Sequence, residues 1–159
     1  MKYKTCCFTG HRMLPEDKID KIKERLMQII EDMVKKKDVL FFCTGGAMGF
    51  DTVAAECVLE AKKIHTDIKL ILVLPHINQD KYYPAEYVRR YAEIKNSADR
   101  IIYTSHEYYR GCMHERNRYM VDHSDYCVCY LTEHRGGTAY TVRYAEEKRM
   151  EVIYCAQGL

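Results

Sequence analysis

The sequence has almost no excess of either charge. Lys plus Arg is 25 and Asp plus Glu is 23, a formal net charge of +2 over 159 residues. That balance disfavours a protein that wraps nucleic acid on a broad basic surface, while leaving room for a local basic patch. Long apolar runs are also missing. None approaches the roughly 18–20 residues of a membrane span, and Met1-Lys2-Tyr3-Lys4 leads into a short apolar run and not a signal-peptide core. No Cys-x-x-Cys pair occurs, so the close ligand pairs of common zinc sites are absent. Tryptophan is absent too, against fourteen tyrosines. No linker, internal repeat or low-complexity segment interrupts the chain.

What is present describes a folded protein. Hydrophobic residues make up 47% of the chain, and its length suits one domain that buries roughly 68–70% of its unfolded surface. Without a secretory signal, the eight cysteines read as thiols of a cytoplasmic protein and not as a disulfide framework. Cys6, Cys7, Cys43, Cys127, Cys129 and Cys155 fall in strand-like runs and Cys57 on a helical apolar stripe, where thiols act as small buried hydrophobes. Cys112, in a loop near histidines and arginines, is a candidate reactive thiol. No metal and no cofactor is expected.

Apolar periodicity alternates strand and helix from end to end. Strands are expected at Lys4–Thr9, Val39–Thr44, Lys69–Leu74, Arg100–Thr104, Tyr126–Leu131 and Glu151–Cys155. Helices are expected at Pro15–Lys36, Gly49–Lys63, Pro84–Lys95, Cys112–Asp122 and Gly137–Arg149. The first carries Ile19, Ile22, Leu26, Ile29, Ile30 and Met33 at helical spacing. The continuous apolar run Lys69–Leu74 suits a strand covered on both faces. The pattern predicts an α/β fold: a single Rossmann-like three-layer sandwich over the whole chain, with a mostly parallel sheet of about six strands. A strand order of 3-2-1-4-5-6 is the favoured expectation.

Open parallel sheets bind ligands beyond the carboxyl ends of their strands. Three such ends carry glycine. Thr9-Gly10-His11-Arg12 follows the first strand, with donors suited to an anion. Thr44-Gly45-Gly46-Ala47-Met48-Gly49-Phe50-Asp51 joins the second strand to the second helix, where free backbone N–H groups form an anion site. It is neither the dinucleotide G-x-G-x-x-G fingerprint nor a Walker loop. Asp51 either caps the helix or accepts from a sugar hydroxyl, and Glu56 faces either ligand or water. Gly136-Gly137-Thr138, after the fifth strand, is a second phosphate cradle, with the Thr138 hydroxyl as an extra donor. Nearby, Arg116 suits bidentate phosphate or carboxylate binding. Asn117 either reads a base edge or fixes a loop, and Arg118 is a surface charge or a further contact. Tyr108 and Tyr109 are candidate stacking surfaces for a base.

On these residues the sequence resembles the SLOG superfamily, which unites the DNA-processing protein DprA (Smf) with the LOG phosphoribohydrolases. The resemblance rests on Cys7-Phe8-Thr9-Gly10-His11-Arg12, Gly45 to Glu56, Arg116 to Asp122 and Gly136-Gly137-Thr138, in that order. It is nearest to the small YpsA-like proteins of Firmicutes. It implies a Rossmann-like fold and a site for a nucleotide or nucleotide-derived ligand. LOG enzymes cleave the base from nucleoside 5′-monophosphates. Met113-His114-Glu115-Arg116 matches their arginine motif, and Met120, Ser124 and Asp125 also fit. Their Pro-Gly-Gly-x-Gly-Thr-x-x-Glu motif does not fit: no proline precedes Gly136, Ala139 replaces the third glycine, and Arg143 stands where the catalytic glutamate belongs. Glu56, Glu115 or Asp51 are the candidate substitutes, beside Arg116. Gly45 to Asp51 also resembles the Gly-Gly-Ala-x-Gly-Ile-Asp segment of DprA, which binds single-stranded DNA. A polymer partner nonetheless wants a basic groove with aromatic platforms. The leading expectation is a small nucleotide-like ligand, with phosphate over Gly45, Gly46 and Gly137. Nucleic acid is disfavoured, no membrane partner is expected, and a homodimer follows from the resemblance alone.

Overall fold

The computed structural model describes residues 3–159. Met1 and Lys2, the first half of the Met1–Lys4 start read above, lie outside the described residues. Strands β1 (Lys4–Gly10), β2 (Val39–Thr44), β3 (Lys69–Leu74), β4 (Arg100–Tyr103), β5 (Tyr126–Tyr130) and β6 (Glu151–Tyr154) form one six-stranded sheet. All five strand pairings are parallel. Helices α1 (Ile19–Lys37), α2 (Phe50–Lys62), α3 (Ala85–Ser97), α4 (Cys112–Asp122) and α5 (Gly137–Glu147) alternate with them. A 3-10 turn at Glu16–Lys18 precedes α1, so the α-helix itself begins later than the expected Pro15.

The helices cover both faces. Ile22, Leu26, Ile30 and Met33 of α1 share one core with α2 and with Tyr91 and Ile94 of α3. Their spacing of three and four residues places them on one side of the helix. Met120 and Val121 of α4 and Ala145 of α5 close a second core against Cys7, Cys43 and Cys127 on the opposite face. Cys43, Cys7 and Cys127 are register partners across three adjacent strands. All eight cysteines are free and buried. Cys112 is among them, at the start of α4 and 1% exposed, and not in an open loop. Among the described residues, no helix is long and apolar enough to cross a membrane.

The strand order is β4-β3-β2-β1-β5-β6, which corrects the expected order. The fourth strand stands at the edge beside β3, and β5 takes the place beside β1. Burial explains the exchange. β5 reads Tyr-Cys-Val-Cys-Tyr and is buried at every position, as a central strand must be. β4 reads Arg-Ile-Ile-Tyr and is exposed at both ends, as an edge strand tolerates. Asp99 pins β4 there: its carboxylate accepts from Leu70 N–H at 2.8 Å and from Lys62 at 2.5 Å. The chain therefore walks outward from β1 to β4 with α1 to α3 on one face. It then returns to β5 with α4 and α5 on the other. The direction reverses between β1 and β5, so a crevice opens above their carboxyl ends.

Candidate functional site

Two loops meet over the β1 end, and their glycines are the means. Gly49 has φ +74°, and the space a side chain would need there is taken by the backbone carbonyls of His11 and Arg12. Phe50 N–H, the first of α2, donates to His11 O at 3.1 Å. A Cβ on Gly10 would run into the buried Phe50 ring. His11 in turn reaches the β5–α5 loop, where its Nε2 accepts from Thr132 N–H at 2.9 Å.

Arg116 comes up from α4 and is 3% exposed. It donates to the carbonyl of Gly45 through Nη1, to Asn117 Oδ1 through Nε at 2.7 Å, and to Val73 O at 3.4 Å. Gly45 O also accepts from Gln79 Nε2 at 3.0 Å, and Gly46 O from Tyr83 Oη at 3.0 Å. The carbonyls of the Gly45–Gly46 turn thus face inward and are fully engaged. All acceptors of Arg116 among the described residues are neutral. Burial holds its guanidinium below the ordinary arginine value, and Asp51 is the foremost group working against that.

Asp51, 5% exposed, accepts from Ala47 N–H at 3.3 Å. It therefore closes the turn before α2 without capping the helix, and it also lines the crevice. Burial pushes its carboxyl up to about 6, against the pull of Arg116, the N–H groups of Ala47 and Gly45, and Arg12.

These residues wall a cavity of about 370 Å³ in the crevice between β1 and β5. Of the expected ligand residues, Thr9, Gly10, His11, Arg12, Asp51, Arg116, Asn117, Gly136, Gly137 and Thr138 line it together. Thr44, Gly45, Gly46 and Gly49 do not line it. Gly45, Gly46 and Gly49 build the turn behind it. Thr44 alternates with Cys43 and so turns to the opposite face of the sheet, where its buried hydroxyl has no partner among the described residues. Backbone donors come from α5. Its N-cap Gly136 has φ +100°, and the first N–H groups of Gly137 and Thr138 have no helical partner.

The candidate acids separate. Glu56 lies outside the cavity, paired with Arg90 of α3 at 2.5 and 3.0 Å. Glu115 does not line it either. Arg118 donates to Tyr140 Oη at 3.0 Å. Ser124 and Asp125 sit at the far end of β5, where Asp125 accepts from Thr5 N–H at 2.9 Å. Sequence reasoning missed Ala47, Glu133 and Arg135, which complete the wall. Glu133 and Arg135 flank the Gly136 turn, so loop position was the available signal.

A larger cavity of about 890 Å³ adjoins the first over the ends of β3 and β4. Arg12 and Met113 line both. Its other residues come from the segment after β3, His76 to Tyr83, and from His106, Glu107, Tyr108 and Met48. The His76–Tyr83 segment contains no glycine, the feature that marks the other candidate strand ends, whereas Tyr108 precedes Gly111 and Met48 lies within the Gly45–Gly49 turn. Tyr109, 41% exposed, lines neither cavity. No cluster of three or more His, Cys, Asp or Glu among the described residues could hold a metal ion.

The profile of the YspA SLOG family matches residues 6–157, nearly the whole chain and both glycine-walled loops. The chain belongs to the YspA SLOG family. A SPbeta prophage-derived protein of Bacillus subtilis, YoqJ, is 34% identical over 139 residues, covering 80% of this chain and 81% of that one. The UPF0398 protein YpsA of the same organism is 23% identical over 161 residues, covering 95% and 89%. Among solved structures, DprA of Streptococcus pneumoniae superposes with a TM-score of 0.67 at 18% identity, covering 94% of this chain and 49% of that one. This SLOG chain thus spans about half of that DprA. The molybdenum cofactor binding protein of Rippkaea orientalis gives 0.62 at 19%, covering 97% and 77%. At these identities the likeness establishes the shared fold.

Proposed function

We propose that the protein binds a nucleotide or nucleotide-derived small molecule, with a phosphate seated in the cavity above β1 and β5. The observation that carries this reading is the buried Arg116 guanidinium, which has only neutral acceptors, on the wall of a cavity that also receives the α5 N-terminus. Asp51 acts on it through space without a hydrogen bond, and a buried cation that lacks a hydrogen-bonded anion is costly, a cost that a bound phosphate relieves. Among the described residues its Nη2 donates to the Met113 sulfur alone, at 4.0 Å, and so keeps a second N–H for a ligand. Arg12, Arg135, His11 and His114 add donors around it. A cavity of about 370 Å³ suits a small ligand and not a polymer. Family membership supports the reading. So do fold neighbours described as binding single-stranded DNA and a molybdenum cofactor. Eight free thiols suit a cytoplasmic setting.

A thermal-shift series with nucleoside monophosphates, ADP-ribose and ribose 5-phosphate tests this. A ligand at 100 times its Kd stabilises the native state by about 2.7 kcal/mol. No shift with any of them, on folded protein, refutes the reading. Single-stranded oligonucleotides at two salt concentrations serve as the polymer arm, where phosphate contacts would give a steep salt dependence.

A second reading, cleavage of a nucleotide N-glycosidic bond, is favoured by Asp51. A carboxyl at about 6 inside the cavity can hold or release a proton near neutral pH. Release of free adenine from AMP is the assay. Turnover that survives both Asp51→Asn and Glu133→Gln removes the acids available in the cavity.

A further inference from the structure

We infer that the larger cavity is a subsite for a nucleobase, so that the ligand spans both cavities with its phosphate beside Arg116 and its base on the open face of Tyr108, next to His76. This rests on the phosphate reading above and extends it to the adjoining cavity over β3 and β4.

Three observations carry it. The first is continuity. Arg12 and Met113 line both cavities, so the polar cradle and the larger cavity adjoin at these two side chains. The second is surface chemistry. The Tyr108 ring is 67% exposed at the mouth and meets the His76 ring edge-on, with centroids 5.5 Å apart and planes at 81°. A large aromatic ring left this open offers a stacking face, and the thioethers of Met48 and Met113 suit a flat, polarisable partner. The third is a directed donor. His76 is 7% exposed, and its Nδ1 accepts from Asn78 N–H at 3.2 Å. The neutral ring therefore carries its proton on Nε2, which has no partner among the described residues. An N–H without a protein partner on the cavity wall suits a ring nitrogen or carbonyl at the edge of a base stacked on Tyr108.

The loops that form this cavity are held, so the subsite exists before a ligand arrives. Ile77 N–H donates to His106 O at 3.3 Å, tying the β3 loop to the β4 loop. Gln79 is fixed between Gly45 O and Tyr91 Oη.

The experiment compares AMP with ribose 5-phosphate by titration calorimetry, on the native protein and on Tyr108→Ala and His76→Gln. Tyr108 is exposed, so its truncation leaves the fold intact, and a thermal melt of each variant verifies this. AMP should bind at least tenfold tighter than ribose 5-phosphate. Tyr108→Ala should weaken AMP about tenfold, the loss of one base-stacking contact, and leave ribose 5-phosphate unchanged. His76→Gln should weaken AMP alone. Equal binding of the two ligands by the native protein, or equal weakening of both by Tyr108→Ala, overturns the base subsite and leaves the phosphate reading standing. If neither ligand binds the folded native protein, the phosphate reading fails and the base subsite falls with it.

Discussion

The guanidinium of Arg116 fills the space in which Gly45 would carry a side chain: a Cβ there would lie 2.5 Å from Nη1 and 2.6 Å from Cζ. The glycine that looks like a phosphate contact in the sequence is therefore a seat for the arginine. Gly45 O accepts a hydrogen bond from the arginine on one side and from Gln79 on the other. In this way α4 and the β3–α3 loop are joined through one carbonyl of the β2–α2 turn.

Gly45→Ala should displace the guanidinium. Overpacking in a closed setting costs about 1–3 kcal/mol, readable in a urea melt. Ligand affinity should fall with it. Native-like stability together with native affinity would mean that the arginine has room to move, contrary to the packing seen here.

Gly137→Ala should do the opposite to stability. Nothing lies within 4 Å of a Cβ at Gly137, and the position opens α5 without a left-handed φ. Alanine there is tolerated or gains up to about 1 kcal/mol by helix propensity. The methyl group intrudes on the cavity, so calorimetry should show weaker phosphate binding on a fully stable protein. Unchanged affinity would move the phosphate away from the α5 N-terminus.

Asp51 sets a pH dependence. Its carboxyl is raised to about 6, so it is charged well above that pH and neutral well below it. A bound anion is repelled by the charged form, so affinity should rise as pH falls through about 6 and level off above it. ADP-ribose is the suitable probe, because its diester phosphates keep their charge across this range. His11, His114, Glu133, Arg12, Arg116 and Arg135 line the same cavity and remain in Asp51→Asn. The difference between the two pH profiles therefore belongs to Asp51. Superimposable profiles would show that this carboxylate does not sense the ligand.

Glu56→Gln should leave binding and any turnover untouched. Its partner is Arg90, and its side chain is 35% exposed on the face covered by α3. Losing the charge of this partly exposed pair should cost no more than about 1 kcal/mol. A large loss of affinity on a stable Glu56→Gln protein would contradict its position.

Much of the fold was legible because it is written locally. The α1 stripe, the continuous apolar run of β3 and the Pro75 that ends it need no long-range information. The order of β4 and β5 was also partly written, since a fully apolar Tyr126–Tyr130 and a polar-ended Arg100–Tyr103 differ as centre and edge strands do. The site was less legible. Asp51 does not cap α2; its carboxylate accepts from Ala47 in the turn before the helix and faces the crevice, a long-range arrangement that local pattern does not show. Glu56 sits five residues, about 1.4 turns, further along the same helix and so faces Arg90 instead.

By itself the sequence determined that strands and helices alternate, that the sheet is covered on both faces, and that glycine-bearing turns stand at the carboxyl ends of β1, β2 and β5. These follow from periodicity and backbone freedom, which act over a few residues. Tertiary structure alone decided which elements face each other. Gly45 and Arg116 are 71 positions apart, and Glu56 and Arg90 are 34 apart. It also decided that the free N–H groups belong to α5, because α2 spends its first one on His11. Only a folded sheet brings His76, after β3, beside Tyr108, after β4, and so makes a second cavity from loops that look ordinary when read in line.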